Sequence, residues 1–212
     1  MKRFPAWLFP LGAVVICGVV FPPVSFRSRA EVELTRATAQ FSGRDFVQKF
    51  WNEHLVPSHA RAHEAAVVHA ALTRDRAAAC AAHGRTLGIG GAYTFYLRGS
   101  GRVVSSTGDE VRLAVAGASD QADIVIPLGL VFGNAVRDGT GLLDSSAFPN
   151  AQQFNDVAAE LNALVESQVL PELQRIATVG ARVAFVGCAE LNEDANNPVP
   201  LRLVPVWVQR EE

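Results

Sequence analysis

Apolar and polar positions follow three different rhythms along this chain, and each rhythm predicts a different kind of element. From residue 4 to residue 26 the stretch is apolar almost throughout, with only Cys17 and Ser25 as polar side chains. It runs for about 23 residues, against the roughly 20 that an α-helix needs to cross a bilayer core. Pro10 interrupts the run and Pro22-Pro23 end it; a membrane helix tolerates the first and stops at the second. Residues 27–41 then read as a polar linker.

A helical rhythm follows. Ser42 with Asp45 resembles a capping box, and Phe46, Val47, Phe50, Trp51, His54 and Leu55 recur on one helical face before Pro57 ends the helix. Residues 58–82 are Ala-rich and free of Gly and Pro, which predicts a second helix stopping at Gly84.

The middle of the chain changes to short β-like segments: 92–97, 102–106, 110–116 and 123–128. Gly99-Ser100-Gly101, Thr107-Gly108-Asp109 and 117–121 are the predicted turns between them. Residues 130–149 are Gly-rich and irregular. A long amphipathic helix is predicted over 150–178, its stripe running from Phe154, Val157, Ala158, Leu161, Leu164 and Val165 to Val169, Leu173 and Ile176. Pro171 should kink or split it. Gly180 opens two closing strands, 182–188 and 201–208, with a turn over 193–200.

Strands, a long helix and two more strands define an α+β fold: a small antiparallel, OB-like β-barrel with the N-terminal helices packed outside and the long helix inserted before the last two strands. The domain organisation is a membrane anchor or signal segment (1–26), a linker (27–41) and a single soluble domain (42–212).

Composition narrows the function. The chain has 212 residues, too few for two full domains beside the anchor. Its net charge of −2 offers no basic field for nucleic acid and no acidic tail for a cationic partner. The three cysteines, Cys17, Cys80 and Cys188, lack CxxC spacing, so neither a zinc knuckle nor a thioredoxin-like motif is present. Cys80 and Cys188 are either one disulfide of an exported domain or two small buried residues.

Lys2 and Arg3 precede the apolar segment, and Arg27 and Arg29 follow it, so charge orients it only weakly. Ser28 and Ala30 would suit a signal peptidase, but the run exceeds a typical signal core of roughly 7–15 residues. Ile16, just before Cys17, does not fit a lipobox. We therefore expect an uncleaved anchor in the bacterial inner membrane, with the soluble domain in the periplasm.

Candidate chemistry is sparse. His59 and His63 lie four apart, with Glu64 and His69 nearby; a zinc site needs at least three protein ligands, and a solvated helix face accounts for the spacing. Gly88-Ile89-Gly90-Gly91 precedes a strand instead of joining a strand to a helix, which fits a turn and not a phosphate loop. No nucleophile elbow, P-loop or paired-acid motif occurs, so no catalytic residue, metal or cofactor is assigned. The stretch from Gly133 to Gly139 places Arg137 and Asp138 between glycines ahead of a helix. The pair is either an ion pair pinning the loop or a ligand or partner contact. The candidate binding positions are Asn134, Arg137, Asp138, Asn150 and Gln153.

The loop also belongs to a wider pattern. Phe50-Trp51 with Pro57, then Tyr93-Thr94-Phe95 followed by Gly99-Ser100-Gly101-Arg102-Val103, precede Gly133, Ala135, Arg137 and Asp138. Phe148, Asn150, Phe154 and Glu160-Leu161-Asn162 come next. Gly180-Ala181-Arg182-Val183-Ala184-Phe185-Val186-Gly187 and Val204-Pro205-Val206 close the pattern. In this order the chain resembles the predicted periplasmic lipoproteins grouped as domain of unknown function 2291. It departs from that pattern at Ala151, where the family has Gln, and at Ile16. The resemblance implies no activity. It implies an envelope accessory to carbohydrate uptake, with components of a sugar ABC transporter as partners. The alternatives are a glycan hydrolase using Asp138 with Asp144 or Glu160, and a purely structural binding module.

Overall fold

The computed structural model describes residues 41–86, 92–116, 121–191 and 200–211. The predicted anchor, the linker up to residue 40, the Gly88–Gly91 turn and most of the turns expected at 117–121 and 193–200 lie outside the described residues. Among the described residues no helix is long and apolar enough to cross a membrane.

Helix α1 (Gly43–Phe50) starts where the capping pattern places it, with Ser42 Oγ accepting a hydrogen bond from Asp45 N at 3.2 Å. Its ladder loosens into a π-helical turn (Trp51–Leu55) and tightens into a 3-10 stretch (Val56–Arg61). Pro57 therefore changes the helix type instead of ending the helix, because at the first positions of a new helical segment its missing N–H costs nothing. The helix expected over 58–82 is broken twice. Ala62 turns extended, and His63–Glu64 form a short strand, β1. Helix α2 (Ala65–Arg74) then stops at Asp75, which is also extended and whose carboxylate caps α3 (Arg76–His83) by accepting from Ala78 N at 3.0 Å. An aspartate that competes for backbone N–H groups divides a helix that composition alone would run through.

The next strand corrects another expectation. Gly99-Ser100-Gly101 is not a turn; β2 runs unbroken from Tyr93 to Ser106. Both glycines serve close approach. A Cβ at Gly101 would stand 3.0 Å from Leu113 Cβ and Val115 Cγ1, and one at Gly99 would stand 3.3 Å from Ala65 Cβ. Glycine within a strand often marks such a corner. β2 pairs antiparallel with β5 (Arg182–Leu191) along its first part and with β3 (Glu110–Ala114) along its last.

The remaining strands close the ring. β3 pairs with β4 (Ile124–Pro127), β4 pairs in parallel with β6 (Leu201–Glu211), and β6 returns antiparallel to β5. The result is a closed barrel of five strands, β2-β3-β4-β6-β5, mixed because of the β4–β6 pair, with β1 laid in parallel on the free edge of β2. Every second residue fills its core: Phe95, Leu97 and Val103 on β2, Val111 and Leu113 on β3, Ile124 and Ile126 on β4, Val183 and Phe185 on β5, Leu201 and Leu203 on β6. This period of two is the β-like rhythm of the sequence.

The long helix enters between β4 and β5, as expected. It comprises α5 (Ala151–Leu164), a π-helical turn (Val165–Val169) and α6 (Leu170–Ile176). (The five-residue helix Ala135–Gly139, α4, precedes it.) The π-turn lies just ahead of Pro171, whose missing N–H and ring disturb the regular ladder. The predicted stripe is buried from Phe154 through Leu161 and Val165 to Ile176, with Leu164 half-buried.

At one place β5 and β6 slip register: Val186 faces Trp207 but Gly187 faces Pro205, so Val206 is the extra residue of a bulge. A bulge accommodates a strand proline. A Cβ at Gly187 would meet Val204 O at 2.6 Å and Leu203 Cδ2 at 2.8 Å. Gly187→Ala is therefore expected to cost about 1–3 kcal/mol, the range for overpacking a core. The shift of the urea unfolding midpoint measures it, and an unchanged midpoint would refute the contact.

Candidate functional site

Arg137 and Asp138 lie on α4, which the chain enters through Gly133 at φ +86°. The guanidinium is buried, with Nε donating to Asp138 Oδ1 at 2.6 Å and Nη2 to Asp138 Oδ2 at 3.1 Å. Nη1 donates to Asn155 Oδ1 at 3.0 Å and to Phe154 O at 3.4 Å, and Cζ sits 3.9 Å above the centre of the Phe154 ring. A two-pronged carboxylate bond, two further acceptors and an aromatic face hold α4 on the start of α5. Phe154 also continues a chain of rings through Phe148 (5.2 Å) and Phe46 (5.5 Å) to Phe41 (5.8 Å).

The other candidate positions are divided between two places. Asn150 caps α5, its Oδ1 accepting from Gln153 N at 2.9 Å. The Gln153 side chain is buried, and its Nε2 has no partner among the described residues. Asn134 is exposed and lines an open groove of about 400 Å³ with Asn155, Asn162 and Glu166.

Between that groove and a second one stands a segment with the irregular backbone predicted for 130–149. Leu130 is 69% exposed and Phe132 77% exposed. Their backbone is nonetheless fixed. Val131 N donates to Glu166 Oε1 at 2.7 Å, and Asn162 Nδ2 donates to Gly133 O at 3.0 Å. The second groove, about 340 Å³, runs between this segment and β6, with Glu190 and Arg202 among its walls. The sequence did carry a signal: Leu130-Val131-Phe132 is an apolar tripeptide between Gly129 and Gly133, with no strand partner to bury it.

The carboxylates considered for hydrolysis have three separate partners. Asp138 is held by Arg137, and Glu160 stands 3.8 Å from Arg44. Asp144 caps a 3-10 turn, where the hydrogen bond from Ser146 N holds its carboxyl below the usual range. This arrangement gives the hydrolase reading no support.

The histidine group is likewise dispersed. His59 lies in the 3-10 stretch and His63 on β1, so they share no helical face. Glu64 pairs with Arg98 at 2.9 Å, and His69 with the buried Asp123 at 3.2 Å. Among the described residues no group of three or more His, Cys, Asp or Glu is placed to hold a metal. Cys80 and Cys188 are both buried and free, which decides between the two alternatives for them in favour of small buried residues. Burial and the nearby Asp138 charge push the Cys188 thiol well above its ordinary range.

A closed mixed barrel with the long helix between its third and fourth strands defines an OB-like barrel protein. The crystal structure of an OB-fold protein from Thermotoga maritima is similar at a TM-score of 0.73, covering 81% of this chain and 99% of that one. The two are 21% identical, so the likeness speaks for the fold. Over residues 14–209 the chain matches the family described as "Predicted periplasmic lipoprotein (DUF2291)", and it belongs to that family. The match begins inside the apolar segment and takes in Cys17. No curated protein matches the chain.

Proposed function

We propose that this protein is a non-catalytic accessory of the bacterial envelope, tethered at the outer face of the inner membrane, whose barrel docks a protein partner through residues 130–132. The observation that carries this reading is the exposure of Leu130 and Phe132 on a backbone pinned by Glu166 and Asn162. Two large apolar side chains exposed two residues apart, beside the apolar walls of a groove, form a contiguous patch of the kind that marks interaction surfaces. Aromatic anchors dominate binding energy, and a fixed backbone avoids the entropy cost of ordering a loop on binding. Glu190, Arg202 and Asn134 supply a polar rim on the two grooves. Arg137, Asp138, Asn150 and Gln153 act in this reading by holding the platform, and Asn134 touches the partner. The family resemblance suggests a component of a sugar ABC transporter as that partner.

A photo-crosslinking residue placed at position 132 in living cells tests the reading. We expect a discrete adduct with an envelope transport component, lost when Leu130→Asp is added. That variant should keep wild-type stability to within about 0.5 kcal/mol, as surface changes do. Absence of a specific adduct at 132 and at 134 would overturn the proposal.

For the tether we propose the uncleaved segment 1–26, whose length suits a membrane span; acylation at Cys17 is the competing attachment that the family description favours. Intact mass of the membrane-extracted protein separates them. A mass that includes residues 1–26 is expected, and an acylated chain beginning at Cys17 would replace the helix by lipid.

A further inference from the structure

At the other end of α4 from the docking loop lies a cavity of about 260 Å³. Its walls include Arg61, His63, His83, Arg85, Tyr96 and Thr140, and no carboxylate lines it. Elsewhere in the domain Arg44, Arg98, Arg112, Arg137, Arg175 and Arg182 each face an acid. Arg61 and Arg85 form no ion pair among the described residues, a trait they share with the exposed Arg74, Arg202 and Arg210; what distinguishes them is that both line one cavity with two histidines.

The backbone presents these side chains from fixed points, with Arg61, His63 and Arg85 exposed at the rim. Arg61 ends the 3-10 stretch and His83 ends α3. Arg85 is fixed to β2 by reciprocal backbone bonds with Thr94, both at 2.8 Å, and Thr94 Oγ1 adds a third at 3.1 Å. The Arg85 guanidinium lies directly against Gly141, where a Cβ would collide with its Cζ. Gly141 has φ +64°, a backbone angle that calls for glycine there. The buried Tyr96 and Thr140 and the backbone of Gly139 form the more enclosed part of the wall. Ser58 Oγ donates to Leu55 O at 2.7 Å, so the Tyr96 hydroxyl must be the donor in its 3.0 Å bond to Ser58. Burial pushes that phenol up to about 12. Thr140 Oγ1 accepts from Leu142 N at 3.4 Å and keeps its own proton to donate.

Two histidines complete the cationic lining. The His63 and His83 rings meet edge to face at 5.0 Å, and His63 is held below its ordinary pKa by burial and by His83. His83 Nδ1 is closed off from solvent and has no hydrogen-bond partner among the described residues. Guanidinium forks match the geometry of carboxylate and phosphate oxygens.

We propose that this cavity binds the oxyanion group, carboxylate or phosphoryl, of a small solute, with Arg61 and Arg85 as its principal contacts and Thr140 as a hydroxyl donor. The reading is independent of the docking loop, which shares none of these residues.

The test follows the imidazole resonances of His63 and His83 by NMR in the soluble domain's native, full-chain context in detergent. Inorganic phosphate and acetate are titrated separately at constant ionic strength. Saturable shifts with a dissociation constant of about 10 mM or tighter are expected for at least one probe, weakened about tenfold or more by Arg85→Ala. Phosphate binding alone assigns a phosphoryl group, and acetate binding alone a carboxylate. Arg85→Gln serves if the alanine variant misfolds, and Arg98→Ala, away from the cavity, should leave binding unchanged. No saturable shift with either probe, or undiminished binding in an Arg61→Ala, Arg85→Ala double variant, would overturn the assignment.

Discussion

Arg137→Ala is expected to destabilise the domain by about 3–5 kcal/mol, the range for removing one partner of a buried ion pair. Only 5% of the Arg137 side chain and 13% of the Asp138 side chain is exposed, so the pair is largely shielded from water. Asp138 would lose both guanidinium donors, Asn155 Oδ1 and Phe154 O would lose a donor, and the Phe154 ring would lose its cation. Arg137→Lys should recover only part of the loss, because an ammonium cannot reproduce the two-pronged bond. Exchanging the two charges should also fail, since Asn155 and Phe154 are arranged for a cation at 137. Denaturant unfolding followed by circular dichroism provides the measurement. A loss below about 1 kcal/mol, typical of a surface pair, would mean that the pair does not hold α4 and would free it for a ligand.

The second large effect belongs to Asp123. This buried carboxylate accepts from Val115 N at 2.8 Å and Ala116 N at 2.9 Å through Oδ2, while Oδ1 stands 3.2 Å from His69 Nε2. Its backbone joins two strands: Asp123 N donates to Leu113 O, and Leu201 N donates to Asp123 O. The side chain therefore ties the end of β3, the start of β4 and helix α2 at the point where β4 meets β6. Asp123→Ala should cost about 2–4 kcal/mol, because hydrogen bonds to a charged group carry roughly 1.5–3 kcal/mol each and their donors would be stranded. Asp123→Asn keeps one acceptor and should lose less. Equal stability of wild type and Asp123→Ala in a urea titration would remove Asp123 from this role.

Much of the fold was legible because burial in a barrel imposes a period of two, and burial of a helix stripe imposes one near four. Val111, Leu113, Val183 and Phe185 announce their strands, and Phe154 to Ile176 announce the helix. Several of the departures share a physical cause. Glycine and aspartate act through tertiary surroundings that local composition does not contain. Gly99 and Gly101 look like turn residues, but the approach of Ala65, Leu113 and Val115 is what requires them. Asp75 breaks a stretch of good helix formers by capping the next helix. Arg137-Asp138 was visible as an adjacent pair, whereas the acceptors that bury it come from the following helix. The cationic cavity was invisible because its walls come from four separate stretches of chain, around residues 61–63, 82–85, 96 and 139–140.

The pairing of β2 with β5 also bears on how the chain reaches its native state. Tyr93 lies opposite Leu191, about a hundred residues away along the chain, and contacts of such long separation slow folding. The barrel cannot close until β5 has arrived, and β4 gains its second neighbour only when β6 does. A chain ending before residue 201 would leave β4 and β5 with unpaired edges, which invite pairing with other chains. Emerging N-terminus first, this protein spends most of its synthesis with an open sheet, and it becomes a barrel only with its last strand.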